Sequence, residues 1–319
     1  MRQLSKHGAH ELPFREAILA VLTIWIVTII FAALPFTLSG CLEHTLDAWF
    51  ETVSGLTTTG SSILYPKAFN YAGQEVPIHR VFIGFQRIEY VFYGTVFPVI
   101  DPITHKTLLT GIEALPKALL FWRSLLNWYG GLGIVLLFIA LLPALGLRGK
   151  VMFRYESTGP SFQPLFPQAR TTAIVLFEIY VVLTVLCILA LMVTNPAMPF
   201  FDSITIAFST LSTGGFSIKN ASIAAYNCIP TEVVVMIFMV AGGLNFALYY
   251  DLMRGKFYKF FEPETVLYIL LLVGISLLAS WNIYGAQIVT LTDSPLAMQQ
   301  YGFWDSVRFG FFQIISAMT

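Results

Sequence analysis

Three runs of threonine, serine and glycine are the residues of this chain whose types and spacing suit chemistry, and that chemistry is the coordination of a cation. Gly55-Leu56-Thr57-Thr58-Thr59-Gly60-Ser61 recurs as Thr210-Leu211-Ser212-Thr213-Gly214-Gly215-Phe216, and a third copy opens over residues 312–319, reaching Thr319. Small residues let backbone carbonyls converge on an ion, and glycine reaches the φ/ψ values that turn them inward. The candidate ion-contacting residues are therefore Thr57, Thr58, Thr59, Gly60, Ser212, Thr213, Gly214, Gly215 and Thr319. A polar loop at a helix end is the alternative for any one run taken alone. Recurrence behind matching apolar-aromatic stretches, Asp47-Ala48-Trp49-Phe50 and Phe201-Asp202-Ser203-Ile204, favours the ion site.

Such runs need a membrane scaffold, and the composition supplies one. Of 319 residues, 56% are hydrophobic and 11% charged, with a mean hydropathy of +0.74. Soluble domains carry roughly 25% charged residues, so this is a membrane protein. The net charge of zero argues against a nucleic-acid surface. Five stretches approach the ~20 apolar residues that cross a bilayer: 17–39, 118–147, 171–193, 231–252 and 265–283. Basic residues gather before the first span (Arg2, Lys6, Arg15), in the 148–170 loop and in the 253–264 loop, which puts those three regions in the cytoplasm. The Thr/Ser/Gly runs then lie on the outer side. Residues 62–117 form an external insertion too interrupted by Arg80, Arg87 and Glu89 to span, with Tyr90, Phe92, Tyr93 and Phe97 as possible interfacial anchors.

The repeating unit is helix, re-entrant segment, helix, giving parallel repeats about an axis normal to the membrane. Residues 1–16 form a cytoplasmic N-terminus, 17–147 a first repeat, 171–252 a second and 265–319 a partial third. The second helices match as well: Trp128-Tyr129-Gly130-Gly131-Leu132-Gly133 parallels Val240-Ala241-Gly242-Gly243-Leu244-Asn245. Paired glycines inside membrane helices mark close backbone approach, so Gly130, Gly131, Gly242 and Gly243 are expected at helix contacts. The fold expected is an all-α membrane protein of such repeats with re-entrant pore helices, two complete and one partial.

The remaining polar residues read as structural. Arg123, inside an apolar segment, is expected to pair with Glu51 or Asp47 or to snorkel, and Glu178 to pair near Arg170. Asp47 suits the positive end of a short helix over 45–56 whose C-terminus aims at the ion. Asn127 and Asn245 are expected to bond between helices, and Lys219 to be a solvated loop lysine. Cys41, Cys187 and Cys228 lack metal or redox spacing; free thiols are expected, with a Cys41–Cys228 disulfide the alternative. His7, His10, His44, His79 and His105 form no metal-binding pattern, and no nucleophile motif is present, so no enzyme and no cofactor are expected.

The residues Phe50-Glu51-Thr52-Val53-Ser54-Gly55-Leu56-Thr57-Thr58-Thr59-Gly60, Phe121-Trp122-Arg123, the Trp128 to Ile134 stretch, Gly214-Gly215-Phe216-Ser217 and Phe311-Phe312-Gln313 with Ser316 resemble the TrkH/KtrB/HKT superfamily of potassium and sodium translocating proteins, the TrkH branch above all. The resemblance covers nearly the whole chain, the 62–106 stretch departing from it. It implies four such units around one pore, potassium at Thr58, Thr59, Thr213 and Gly214, a homodimer in a bacterial inner membrane, and a cytosolic nucleotide-binding partner of the TrkA/KtrA type. Gly60 and Gly215 stand where a sodium-selective branch carries serine in its first repeat, which favours potassium; sodium or mixed-cation transport is the alternative. Only two units and part of a third are visible, so a fragment or a non-conducting subunit is expected, with Phe309, Phe311, Phe312 and Ile315 facing lipid or an open groove.

Overall fold

The computed structural model describes residues 14–70, 73–83, 87–104, 106–141, 169–286 and 301–319. Apolar runs dictate the long helices, because a lone segment in hydrocarbon satisfies its backbone only by coiling. These are α1 (Phe14–Leu38), α3 (Lys117–Leu141), α4 (Ala169–Thr194) and α8 (Pro263–Ile283). Segments Ile18–Leu38, Ala173–Thr194 and Pro263–Ile283 have mean hydropathies of 2.6, 2.8 and 2.2 and are long and apolar enough to cross a membrane. At 25 residues, α3 is about 37 Å long, although the expected end of that span, residues 142–147, lies outside the described residues. Side chains such as Leu22, Ile24, Leu186 and Leu278 point outward, as lipid-facing residues do.

Between these lie two 12-residue helices, α2 (Thr45–Leu56) and α5 (Phe200–Leu211), and the longer α9 (Phe303–Met318). Each buries one face in its neighbours: α2 packs on α1 and α3, and α5 on α3 and α4. A first apolar cluster joins α1, α2 and the start of α3 through Ala33, Phe36, Ala48, Leu56 and Leu126. A second joins α4 and α5 to Leu132 and Val235 through Cys187, Leu191, Ala207 and Leu211. The three cysteines are free thiols.

Two expectations need correction. The apolar run 231–252 is not one continuous helix: α6 (Ile229–Gly243) and α7 (Phe246–Met253) meet at 94°. Asn245 makes the break, its Oδ1 accepting from the Ala247 N–H at 3.0 Å as the cap of α7 rather than bonding between helices. The chain is also not purely helical. The 62–117 insertion contains three antiparallel two-stranded pairs: β1 (Ala68–Phe69) with β2 (Glu75–Val76), β3 (Ile78–Ile83) with β4 (Arg87–Phe92), and β5 (Val99–Ile100) with β6 (Thr107–Leu109). Aromatic and β-branched residues dominate β3 and β4, which suits strands. Phe92 turns inward to meet Tyr65 edge-on at 5.1 Å, whereas Tyr90, Tyr93 and Phe97 stay exposed. The Lys67 ammonium pins the insertion's base, 2.8 Å from Glu43, 3.3 Å from Glu75 and 4.2 Å from the Phe97 ring centroid. Its hydrogen bond holds the Glu43 carboxyl below the usual carboxylate range.

Candidate functional site: the paired threonine–glycine turns

Both short helices end the same way. Thr57 and Ser212 close them with φ/ψ near −85/3° and −75/−6°. Next, Thr58 and Thr213 each take φ +53°, and two residues on, Gly60 and Gly215 take +73° and +77°. The hydrogen bonds match too. Thr58 N–H donates to Gly55 O at 3.1 Å and Thr59 N–H to Ser54 O at 2.9 Å. Thr213 N–H donates to Thr210 O at 3.1 Å and Gly214 N–H to Ser209 O at 3.0 Å. This is the Schellman pattern, in which the left-handed position is usually glycine. A β-branched threonine there costs on the order of 1–2 kcal/mol, a cost met twice at matching places. The helix C-termini add partial negative charge behind each turn.

The two turns touch. A Cβ on Gly60 would lie 2.2 Å from Gly214 O, so the glycine's bare Cα is what lets the strands meet. Helix α3 fills the space behind them. With its carboxamide oriented by its neighbours, Asn127 donates to Gly55 O at 3.0 Å and accepts from Phe216 N–H at 3.1 Å. Arg123, one turn earlier and 1% exposed, pairs through Nε with Glu51 Oε2 at 3.2 Å, while Nη1 donates to Ser217 O at 3.0 Å and Nη2 to Ser62 Oγ at 3.2 Å. The pairing with Glu51, not Asp47, is therefore formed.

The glycine pairs lock these parts together. A Cβ on Gly130 would meet Leu56 O at 2.2 Å, and one on Gly242 would meet Leu211 O at 2.5 Å, each the last residue of a short helix. A Cβ on Gly131 would lie 2.9 Å from Ser212 Cβ, and one on Gly243 3.4 Å from Thr319 Cγ2. Thr319 caps α9, its hydroxyl donating to Ile315 O at 2.8 Å, as the Thr57 hydroxyl does to Val53 O at 2.8 Å. On α9 Ile315 is buried and Phe312 packs on the second cluster, so those two face protein and not lipid; Phe309 is 39% exposed. Glu178 is exposed, and the Arg170 side chain lies outside the described ones. Lys219 is half-buried, and among the described residues no cluster of His, Cys, Asp or Glu could hold a metal ion.

Sequence reasoning missed Phe216 and Ser217 as partners of α3, and the pairing of Arg308 on α9 with Glu232 in the first turn of α6. Arg308, the one charge in the otherwise uncharged 306–318 stretch, was the available signal for the latter.

A sequence model of the TrkH family, described as cation transport protein, matches residues 101–319. The chain belongs to the TrkH family. Among TrkH and related proteins it is 33% identical over 318 residues to the Trk system potassium uptake protein TrkH of Salmonella typhimurium, covering 97% of this chain and 53% of that one. It is 28% identical to the Trk system potassium uptake protein TrkG of Escherichia coli, covering 94% and 56%. The crystal structure of the potassium transporter TrkH from Vibrio parahaemolyticus superposes with a TM-score of 0.65 at 25% identity, covering 97% of this chain and 51% of that chain. The chain thus spans about half the length of the curated relatives it matches. TrkH proteins are membrane transporters and not enzymes, and the mainly helical, apolar architecture here is that of the family.

Proposed function

We propose that this chain belongs to the potassium-translocating subunit of a Trk-type uptake system, the ion passing between carbonyls of the paired turns. Thr58, Thr59, Thr213 and Gly214 contact it in this reading, flanked by Thr57, Gly60, Ser212, Gly215 and Thr319. One observation carries it: two turns with the same left-handed threonine and positive-φ glycine end two short apolar helices and lie against each other. The strain of both threonines has a purpose if it aims carbonyls at an ion. Two turns cover two sides of such an ion, and Thr319 sits at the matching cap of a third helix.

The architectural reading follows. Residues 17–147, 171–252 and 265–319 are units of the potassium-channel-like M1-P-M2 kind, with α2, α5 and α9 as pore helices and the turns facing outward. The basic 148–170 and 253–264 loops lie in the cytoplasm of a bacterial inner membrane. The family resemblance adds a homodimer and a nucleotide-binding regulatory subunit of the TrkA/KtrA type. Cysteine labels near Arg148 and Lys256 should react only from the cytoplasm, and labels near Asn220 only from outside; the reverse pattern contradicts the topology.

Rubidium and sodium uptake in cells lacking their own potassium uptake tests the function. Expression of a four-unit protein that contains this chain should raise rubidium uptake above sodium uptake, and Gly60→Ser in it should lower that ratio several-fold, because a Cβ there collides with Gly214 O. An unchanged ratio in a folded variant removes Gly60 from the ion path. Equal uptake of both ions by the unaltered protein instead favours a mixed-cation transporter.

A further inference from the structure

We infer that Arg123 is a positioning residue that sets ion selectivity by holding the exit of the first turn against the exit of the second. The inference rests on the proposed function, since it assigns a role within that ion path. Its geometry is a three-way clamp. One guanidinium edge binds Glu51 on α2, another reaches Ser62 just after the first turn, and a third reaches Ser217 O just after the second. The Phe216 ring lies 4.3 Å from Arg123 Cζ, closing the fourth side. Glu51 is fully buried and is itself fixed from the far side, its Oε1 accepting from Ser62 Oγ at 2.6 Å and Ile63 N–H at 2.8 Å. Neither charge has a free direction in which to relax, so the strands leaving both turns are held to one separation.

The molecule contains its own control. Glu51 lies seven residues before Thr58, and Ile206 lies seven before Thr213; Arg123 lies seven before Gly130, and Val235 seven before Gly242. At the second set of elements the same two places are thus filled by Ile206 and Val235, both buried in one apolar cluster. Apolar packing builds that location without charge, and a buried ion pair generally gains little stability over such a pair. What the arginine adds is directional: a planar fork with several donors in fixed relation, which neither valine nor lysine supplies. The clamp also crosses from one turn to the other, where the apolar pair has no polar group to do so.

Two variants test this in membrane vesicles from cells expressing the protein, read as initial rubidium and sodium uptake with protein amount measured in parallel. Arg123→Lys retains the charge opposite Glu51 but loses the fork, and the rubidium-to-sodium ratio should fall about threefold or more. The double variant Glu51→Ile with Arg123→Val copies the second set; it should assemble, and the ratio should fall about tenfold, the loss of one to two charge-assisted hydrogen bonds. Uptake of both ions reduced in parallel, at unchanged ratio, would mean that the clamp only supports the fold and would overturn the inference while leaving the filter reading intact. If the double variant fails to assemble, Arg123→Lys alone decides between those outcomes. An unaltered protein that takes up both ions equally leaves no selectivity for Arg123 to set and overturns this inference, while the filter reading survives as a mixed-cation path.

Discussion

Helix α3 and the α6–α7 pair begin alike and end differently. Both lay a Gly-Gly pair on the last carbonyl of a short helix, Gly130 on Leu56 and Gly242 on Leu211. Beyond it, α3 continues through Gly133 to Leu141, whereas α6 stops at Gly243 and the chain turns 94° into α7. The local difference is Gly133 against Asn245, each following Gly-Gly-Leu. Asn245 offers the chain an alternative to the helix by capping a new one, and Leu244 takes an extended ψ of 154°. The break frees the Ala241 carbonyl, and Tyr249 OH donates to it at 2.5 Å. A bend in an apolar environment therefore needs two devices, one to start the next helix and one to satisfy the last. Where neither is present, as in α3, the helix runs on uninterrupted through its glycines.

The largest expected effect comes from abolishing what the two helices share. Gly130→Ala and Gly242→Ala each force a methyl into a backbone carbonyl, and each should destabilise the protein by about 3 kcal/mol, read as lost monodisperse protein and a lower thermal midpoint in detergent. Gly133→Ala has nothing within 4 Å to meet and should be neutral or stabilising by up to ~1 kcal/mol. If all three behaved alike, the close-contact account of the glycine pairs would fail.

Smaller effects separate the broken pair from the uninterrupted helix. Tyr249→Phe leaves the Ala241 carbonyl without its hydroxyl donor and should cost about 1–2 kcal/mol. Asn245→Ala should cost about 1 kcal/mol through loss of the cap. Spin-label distances across the bend, from Ile237 to Met253, should broaden toward longer values in a Tyr249→Phe, Asn245→Ala double variant. An unchanged distance distribution would show that packing alone holds the bend. The smallest effect lies in the 62–117 insertion. Because Lys67 holds the Glu43 pKa below its unfolded value, the pair's stabilisation is present above the ordinary carboxylate pKa of about 4.3 and is lost as pH falls through the folded value. Proteolysis of the insertion should accelerate only in that acidic window, and Glu43→Gln should abolish the acid dependence.

Much of this was legible in the residues. The Thr/Gly match located α2, expected over 45–56 and found at Thr45–Leu56, and its second copy marked where α5 ends, because small polar residues after a short apolar stretch leave few other structures available. An arginine among apolar residues had to find a carboxylate, and Glu51 was in reach. The bend at Gly243 was not legible: residues 231–252 are apolar enough on average to read as one segment, and hydropathy is blind to a cap supplied by one asparagine. The strands of the insertion were missed because its bulk was read by length and charge rather than by the β-branched and aromatic content of 78–92. Partners such as Ser217 for Arg123 lie far apart in the chain, and nothing local signals them.

The central claim, that the paired turns are two walls of one potassium path, is tested most directly by a structure of the protein in thallium, a potassium mimic with strong anomalous scattering. The account predicts an anomalous peak at coordination distance from the carbonyl oxygens of Thr58, Thr59, Thr213 and Gly214, displaced by excess potassium and not by sodium. Thallium bound elsewhere in the folded protein, with no density between the two turns, would contradict it.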